Sequence, residues 1–186
     1  MIFIYFLAYI FGHILSAHIV GRIFYNRNIF TEGSGNPGAR NAGRSFGKKG
    51  FMIVLFGDML KVIVICLLAE YFKMNFLQQT ILLLLVILGH MYPILYKFKG
   101  GKGVASFIGG ILYISPLAAL CLGLTFLITY PFVKSFTKAG LAGIALTPIF
   151  TFFFHHNIAG SLVIFLIILL IVMKHKEKRV IVGDGI

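Results

Sequence analysis

The first charged residue of this chain is Arg22, so its opening 21 residues carry no formal charge. Three later stretches are also uncharged: residues 74–96, 103–133 and 139–173. A helix of about 20 apolar residues crosses the roughly 30 Å hydrocarbon core of a bilayer, where backbone groups must be satisfied within the segment. Runs of this length call for a helical membrane protein. Composition agrees, with 59% hydrophobic and 12% charged residues and a mean hydropathy of +0.97. Soluble domains carry about 25% charged residues, so a purely soluble reading is excluded. A secretory leader would open with a basic region and hold a shorter apolar core. The first run does neither and reads as a membrane helix.

Seventeen basic residues face five acidic ones, a net charge of +12. They fall in short gaps between apolar runs, as the positive-inside bias requires. That placement leaves no solvated basic face for nucleic acid, which is excluded as a partner. Membrane lipids with anionic headgroups and phosphorylated substrates are the partners implied. Cys66 and Cys121 lie inside apolar runs without CxxC spacing, so they read as buried thiols. No third ligand completes a set with His13 and His18 or with His155 and His156, so neither a metal nor another cofactor is expected.

The runs predict an all-α, polytopic membrane protein with about seven transmembrane segments, some short or broken, forming one integral-membrane domain over residues 1–186. The second span is expected over 51–69. The two longest runs each exceed one crossing. Breaks are expected at Gly109-Gly110, Ser115-Pro116, Pro148 and His155-His156-Asn157. Seven segments place the gaps at 22–50, 97–102 and 134–138 and the tail on one side. That side then holds every basic residue except Lys61 and Lys73. It is therefore read as the cytoplasm, with the N-terminus outside. Five full crossings with two re-entrant pieces is the alternative, and it moves Lys134 and Lys138 outside.

Two gaps are rich in glycine and cations. The first reads Gly33-Ser34-Gly35-Asn36-Pro37-Gly38-Ala39-Arg40-Asn41-Ala42-Gly43-Arg44. Glycine and asparagine let successive N–H groups converge on an anion, and arginine adds two-pronged bonding to phosphate. The second reads Lys97-Phe98-Lys99-Gly100-Gly101-Lys102-Gly103, with His90 and Pro93 just upstream. It lacks the Ser or Thr of a Walker A loop, so ATP hydrolysis is not supported. Flexible connectors carrying topology-setting cations are the plain alternative for both. Two such loops on one face suggest a site for two phosphoryl groups. Asp58 and Lys61, three apart within a span, are expected to form a structural ion pair that steadies the first loop.

The first loop, and the stretch from Gly89-His90 through Pro93 to Lys99-Gly100-Gly101-Lys102-Gly103-Val104-Ala105-Ser106, resemble two signature motifs of the acyl-phosphate-dependent glycerol-3-phosphate acyltransferases, the PlsY family. The resemblance covers essentially the whole chain. It implies an enzyme of the bacterial cytoplasmic (inner) membrane, working on the cytoplasmic side. The reaction implied moves an acyl group from acyl phosphate to the 1-hydroxyl of glycerol 3-phosphate, giving lysophosphatidic acid and phosphate for phospholipid synthesis. Carried over by motif, Ser34, Arg44, His90 and Lys102 are catalytic candidates. Gly33, Gly35, Asn36, Gly38, Asn41, Lys99, Gly100, Gly101 and Gly103 would bind phosphate or substrate. In the family's third motif, His175 and Glu177 fit, whereas Lys178 and Arg179 stand where Asn and Ile are expected. Arg40 replaces the usual Thr.

Acyl phosphate is already activated, so a positioned acceptor hydroxyl suffices and no acyl-enzyme is needed. Loop N–H groups, Lys99, Lys102 and Arg44 are donors of the kind that stabilise charge on the carbonyl oxygen and departing phosphate. The base is open at this stage: His90, His175 or a substrate phosphate oxygen. His90 reads equally well as a helix-end residue hydrogen-bonded to the second loop. No histidine has an Asp five positions on, so the dyad of acyl-CoA-dependent glycerolipid acyltransferases is missing. A transporter or binding protein for an organic phosphate or lipid is the competing class, since broken helices and basic loops suit one. A family member with impaired catalysis is another, prompted by the altered tail.

Overall fold

The computed structural model describes residues 2–176, which form eight α-helices and one 3₁₀ turn. In chain order these are α1 (Ile2–Gly12), α2 (Ser16–Tyr25), α3 (Ala39–Tyr71), α4 (Phe76–Met91), α5 (Val104–Ile114), α6 (Pro116–Val133), α7 (Phe136–His155) and α8 (Ile158–Lys176). The 3₁₀ turn, Ile94–Tyr96, lies between α4 and α5. Five helices (α3, α4, α6, α7 and α8) are long and apolar enough to cross a membrane, and α1 with α2 makes a sixth, bent span. The seventh segment, α5, has 11 residues and rises only about 16 Å.

Local chemistry sets several boundaries. Asn75 opens α4 with a reciprocal capping box: its side chain accepts from the Gln78 N–H at 3.0 Å, and Gln78 Oε1 accepts from the Asn75 N–H at 2.9 Å. Pro116 occupies the first turn of α6, where its missing N–H costs nothing. The breaks at Ser115-Pro116 and at His156-Asn157 fall where expected. Three other expectations are corrected. The opening run is two helices bent by 44°, separated at 13–15. Gly109-Gly110 is no break: Cβ positions at these glycines would meet Met59 of α3 and Leu83 of α4, so the pair lets α5 approach its neighbours closely. Pro148 lies inside α7 and does not end it. Apolar neighbours on a packed hairpin hold that helix together where an isolated peptide would break.

Helix α3 begins at Ala39, twelve residues before the expected span. Its 33 residues are interrupted by Gly47, whose φ of 75° and ψ of −172° are non-helical. Nothing lies within 4 Å of a Cβ built there, so conformation alone selects glycine. The kink separates a short basic segment with Arg40 and Arg44 from the spanning part.

The core gathers around α4, which packs against α1, α3, α5 and α8. Ile65, Leu83, Ile87, Phe107, Ile111 and Ile167 are fully buried there. A smaller cluster of Ala17, Val20, Ile29, Ala42, Phe46 and Val54 seats α2 and the first loop on α3. Leu120, Leu124, Leu127 and Phe132 of α6 are exposed, as a lipid-facing surface requires. Contacts sort the helix ends into two groups. At one end His18, Phe30 and Tyr96 form a ring cluster, Arg40 meets Thr137, and Lys174 lies 4.2 Å from the Tyr92 ring centroid. At the other end Tyr113 bonds Glu70, His155 Nε2 lies 3.0 Å from Ser115 Oγ, and His155 stacks on Phe76.

Helix α1 crosses α4 closely. A Cβ at Gly89 would strike the Tyr9 carbonyl oxygen and stand 3.0 Å from Gly12 Cα. Gly89→Leu should therefore destabilise the protein by about 1–3 kcal/mol or more, the range for overpacking. Thermal unfolding in detergent checks this, with Gly123→Ala, where no atom lies within 4 Å, expected to be silent.

Candidate active site

The first loop, residues 26–38, is held in shape by its own side chains. Asn41 is 2% exposed: its Nδ2 donates to the Glu32 carbonyl at 2.8 Å and its Oδ1 accepts from the Ser34 N–H at 2.9 Å. Gly33 and Gly35 adopt φ of 54° and 65°. A Cβ on Gly33 would fall 2.5 Å from Asn41 Oδ1, so space and conformation both demand glycine there. Arg27 Nε donates to Glu32 Oε1 at 2.8 Å, and its Nη1 donates to the Ser45 carbonyl at 3.1 Å. Asn41 thus uses its amide within the loop. It shapes the loop where a direct contact with phosphate was expected.

Gly38 ends the loop as the N-cap of α3. That helix start has neither a side-chain cap nor an acidic residue in its first turn. It carries Arg40 and Arg44 instead, four apart on one exposed face. Cations at a helix N-terminus repel its dipole, and a bound anion reverses the sign of both effects. The arrangement has the electrostatics of a phosphate site. Ser34, Asn36 and Gly38 border it, half-buried.

The second loop is more tightly folded than its glycines suggest. Lys97 and Phe98 adopt the left-handed conformation (φ of 52° and 61°), whereas Gly100 and Gly101 do not. The Gly101 N–H donates to the His90 carbonyl at 2.9 Å, and the Gly100 N–H donates to the Met91 carbonyl at 3.1 Å. These two amides close the C-terminal end of α4, which corrects the expectation that they face a phosphate. Their lack of a side chain matters for space: a Cβ on Gly100 would strike the His90 carbonyl, and one on Gly101 would strike the His90 imidazole. Gly103, with φ of 79°, starts α5 without a side-chain cap, so a second open helix N-terminus follows directly on Lys102. Lys99 is exposed and Lys102 is half-buried.

His90 lies 2% exposed beneath this loop. Its Nδ1 is 2.7 Å from Lys61 Nζ and 3.9 Å from Asp58 Oδ1. Asp58 and Lys61 pair at 3.1 Å. The pair contacts Ile14, Ser16 and His90, so it braces the α1–α2 break and the second loop, not the first loop as expected. His175, near the end of α8, donates from Nδ1 to the Ile171 carbonyl at 2.8 Å, leaving Nε2 for other contacts. The charges of Lys102 and Arg40 both act on this imidazole, so the first loop's helix, the second loop and α8 converge at one place. Glu177, Lys178 and Arg179 lie outside the described residues.

Sequence reasoning counted Arg40 among the first loop's cations without giving it a site role, and it missed Arg27 and Glu32. Arg40 looked like a departure from a motif, yet it meets Thr137 of α7 and faces the common site. Arg27 and Glu32, five apart in a loop, match no spacing that announces an ion pair. Among the described residues no group of His, Cys, Asp or Glu could hold a metal ion.

Asn41→Asp keeps shape but replaces the donor to the Glu32 carbonyl with an acceptor. It should cost about 1–3 kcal/mol, the penalty for an unsatisfied buried group. A lowered Tm together with a raised KM for the phosphorylated acceptor would show that this brace shapes the site.

Known proteins resemble the chain over most of its length. The family described as glycerol-3-phosphate acyltransferase matches residues 2–183. Glycerol-3-phosphate acyltransferase 1 of Bacillus anthracis is 47% identical over 150 residues, covering 80% of this chain and 79% of that protein. Glycerol-3-phosphate acyltransferase of Ruthia magnifica subsp. Calyptogena magnifica is 43% identical over 148 residues, covering 77% of this chain and 73% of that one. The crystal structure of PlsY (YgiH), an integral membrane glycerol 3-phosphate acyltransferase, in its glycerol 3-phosphate form superposes with a TM-score of 0.85 at 30% identity. That match covers 94% of this chain and 88% of that one. The lysophosphatidic acid form gives a TM-score of 0.83. Motifs, fold and relatives agree, and the chain belongs to the glycerol-3-phosphate acyltransferase family, PlsY type.

Proposed function

We propose that this protein transfers an acyl group from acyl phosphate to the 1-hydroxyl of glycerol 3-phosphate, releasing lysophosphatidic acid and inorganic phosphate. The observation that carries the reading is the convergence of Arg40, Lys102 and His175 beside the open N-termini of α3 and α5. Two helix dipoles and several cations at one place suit two phosphoryl groups, one on each substrate.

The acceptor oxygen attacks the acyl carbonyl carbon, a C–O bond forms, and the bond from that carbon to the phosphate oxygen breaks. Charge builds on the carbonyl oxygen and then on the departing phosphate. Lys102 and Arg44 are the side chains to stabilise it, and Ser34 supplies a hydroxyl at the edge of the first loop. His90 is poorly placed to take the hydroxyl proton, with Nδ1 engaged by Lys61 and Nε2 against Gly101. His175 is the better base on this chain, because its bond to Ile171 leaves Nε2 directed elsewhere. The basic loops share one end of the bundle, which supports a cytoplasmic site in the bacterial inner membrane with the N-terminus outside. The fatty chain then lies among lipid tails between helices, and membrane lipid is its surroundings throughout.

Purified protein given palmitoyl phosphate and glycerol 3-phosphate should release phosphate only when both are present. Acyl-CoA in place of palmitoyl phosphate should give no product, and equal turnover with it would refute the donor assignment. Binding of both substrates without turnover would identify an impaired family member. Lys102→Ala and Arg44→Ala should each cost about 2–4 kcal/mol of transition-state stabilisation, as for loss of one oxyanion donor. His175→Ala should lower kcat with KM little changed. Unchanged kcat would leave the proton with a substrate phosphate oxygen.

A further inference from the structure

Inside the membrane-spanning body, the side chains of Asp58 and Lys61 are 1% and 3% exposed. Three acceptors surround Lys61 Nζ: Asp58 Oδ1 at 3.1 Å, the Ile14 carbonyl at 2.8 Å and His90 Nδ1 at 2.7 Å. Together they use all three N–H groups of an ammonium. Asp58 Oδ1 also accepts from Ser16 Oγ at 2.9 Å.

Ile14 lies just past the end of α1, and Ser16 opens α2. The cation therefore stands at the C-terminal end of one helix and the anion at the N-terminal end of the next. Each charge meets the dipole end that favours it. The start of α2 has no side-chain cap of its own, and the adjoining break has no access to bulk water in the bilayer core. Lys61 satisfies the Ile14 carbonyl there, and Asp58 holds the Ser16 hydroxyl at the start of α2.

Through His90 the same pair reaches the second loop. The imidazole, accepting from Lys61 at Nδ1, carries its proton on Nε2 and presses that edge against Gly101. The next residue is Lys102. A continuous path of contacts thus leads from the broken first span to the lysine that faces the common site.

We propose that Lys61, charge-balanced by Asp58, is a positioning residue for acyl transfer: it fixes His90 against Gly101 and so sets where Lys102 stands. This rests on the acyl-transfer reading for its kinetic consequence. Fold stability alone does not require the pair, since apolar replacements of a buried ion pair are often neutral or stabilising.

The test is the doubly neutral variant Asp58→Asn/Lys61→Met in detergent, which leaves no uncompensated buried charge. Its kcat should fall about 10²-fold, as for a misplacement of about 1 Å at a reacting centre, while Tm stays near that of the unaltered protein. Deuterium uptake should quicken in peptides covering 97–104 and not in those covering 26–38. Lys61→Arg, which keeps a cationic donor, should recover part of the kcat. Unaltered kcat and uptake in the double variant would overturn the proposal. So would a lowered Tm with unaltered uptake at 97–104, the mark of a merely structural pair. The unaltered protein run in parallel separates the two readings: without turnover on palmitoyl phosphate it refutes the acyl transfer, while the uptake comparison still judges the positioning.

Discussion

A lysine and an aspartate within the hydrocarbon layer form the joint on which this architecture turns. A helix cannot break inside a bilayer unless something satisfies the freed carbonyl and N–H groups. Here Lys61 satisfies the Ile14 carbonyl at the break between α1 and α2, while Asp58 holds the Ser16 hydroxyl, each charge beside the helix end that suits it. Removing one partner of a buried pair typically costs 3–5 kcal/mol, because the other charge is left uncompensated. The seat of His90 beneath the second loop follows from this arrangement.

Both loops are shaped by contacts made inside the protein. Asn41, Arg27 and Glu32 fix the first, while the Gly100 and Gly101 amides tie the second to the end of α4. Such loops lose little freedom when a ligand arrives, so more of its binding energy is available for the transition state. Arg40 and Arg44 stay exposed beside the first loop, and Ser34 and Lys102 are half-buried.

Much of this was legible in the sequence, for physical reasons. Uncharged runs of bilayer length announce helices, so about seven segments were expected, with five full crossings and two re-entrant pieces as the alternative left open. Breaks were legible where a helix-stopping residue coincided with polar neighbours, as at Ser115-Pro116. They were misread where tertiary packing decided the matter. Gly109 and Gly110 serve close approach to α3 and α4, and Pro148 is carried by its hairpin. The bend at 13–15 left no mark, because its partners are 42 and 47 residues away in sequence. The glycines of the second loop were recognised, but their reason was not: a sequence cannot show that an imidazole fills the space beside Gly101.

The brevity of α5 has a consequence for how the two reactants meet. Starting from Lys102 and Gly103, its eleven residues reach the far end of the bundle, where Ser115 bonds His155. A helix rising about 16 Å can do so only if its starting loop is sunk well below the bilayer surface. Contact of that loop with His90, and of His90 with mid-helix Lys61, places it at the same depth. On the acyl-transfer reading, the water-soluble alcohol descends to this loop, while the acyl phosphate keeps its fatty tail at the level where lipids already hold it.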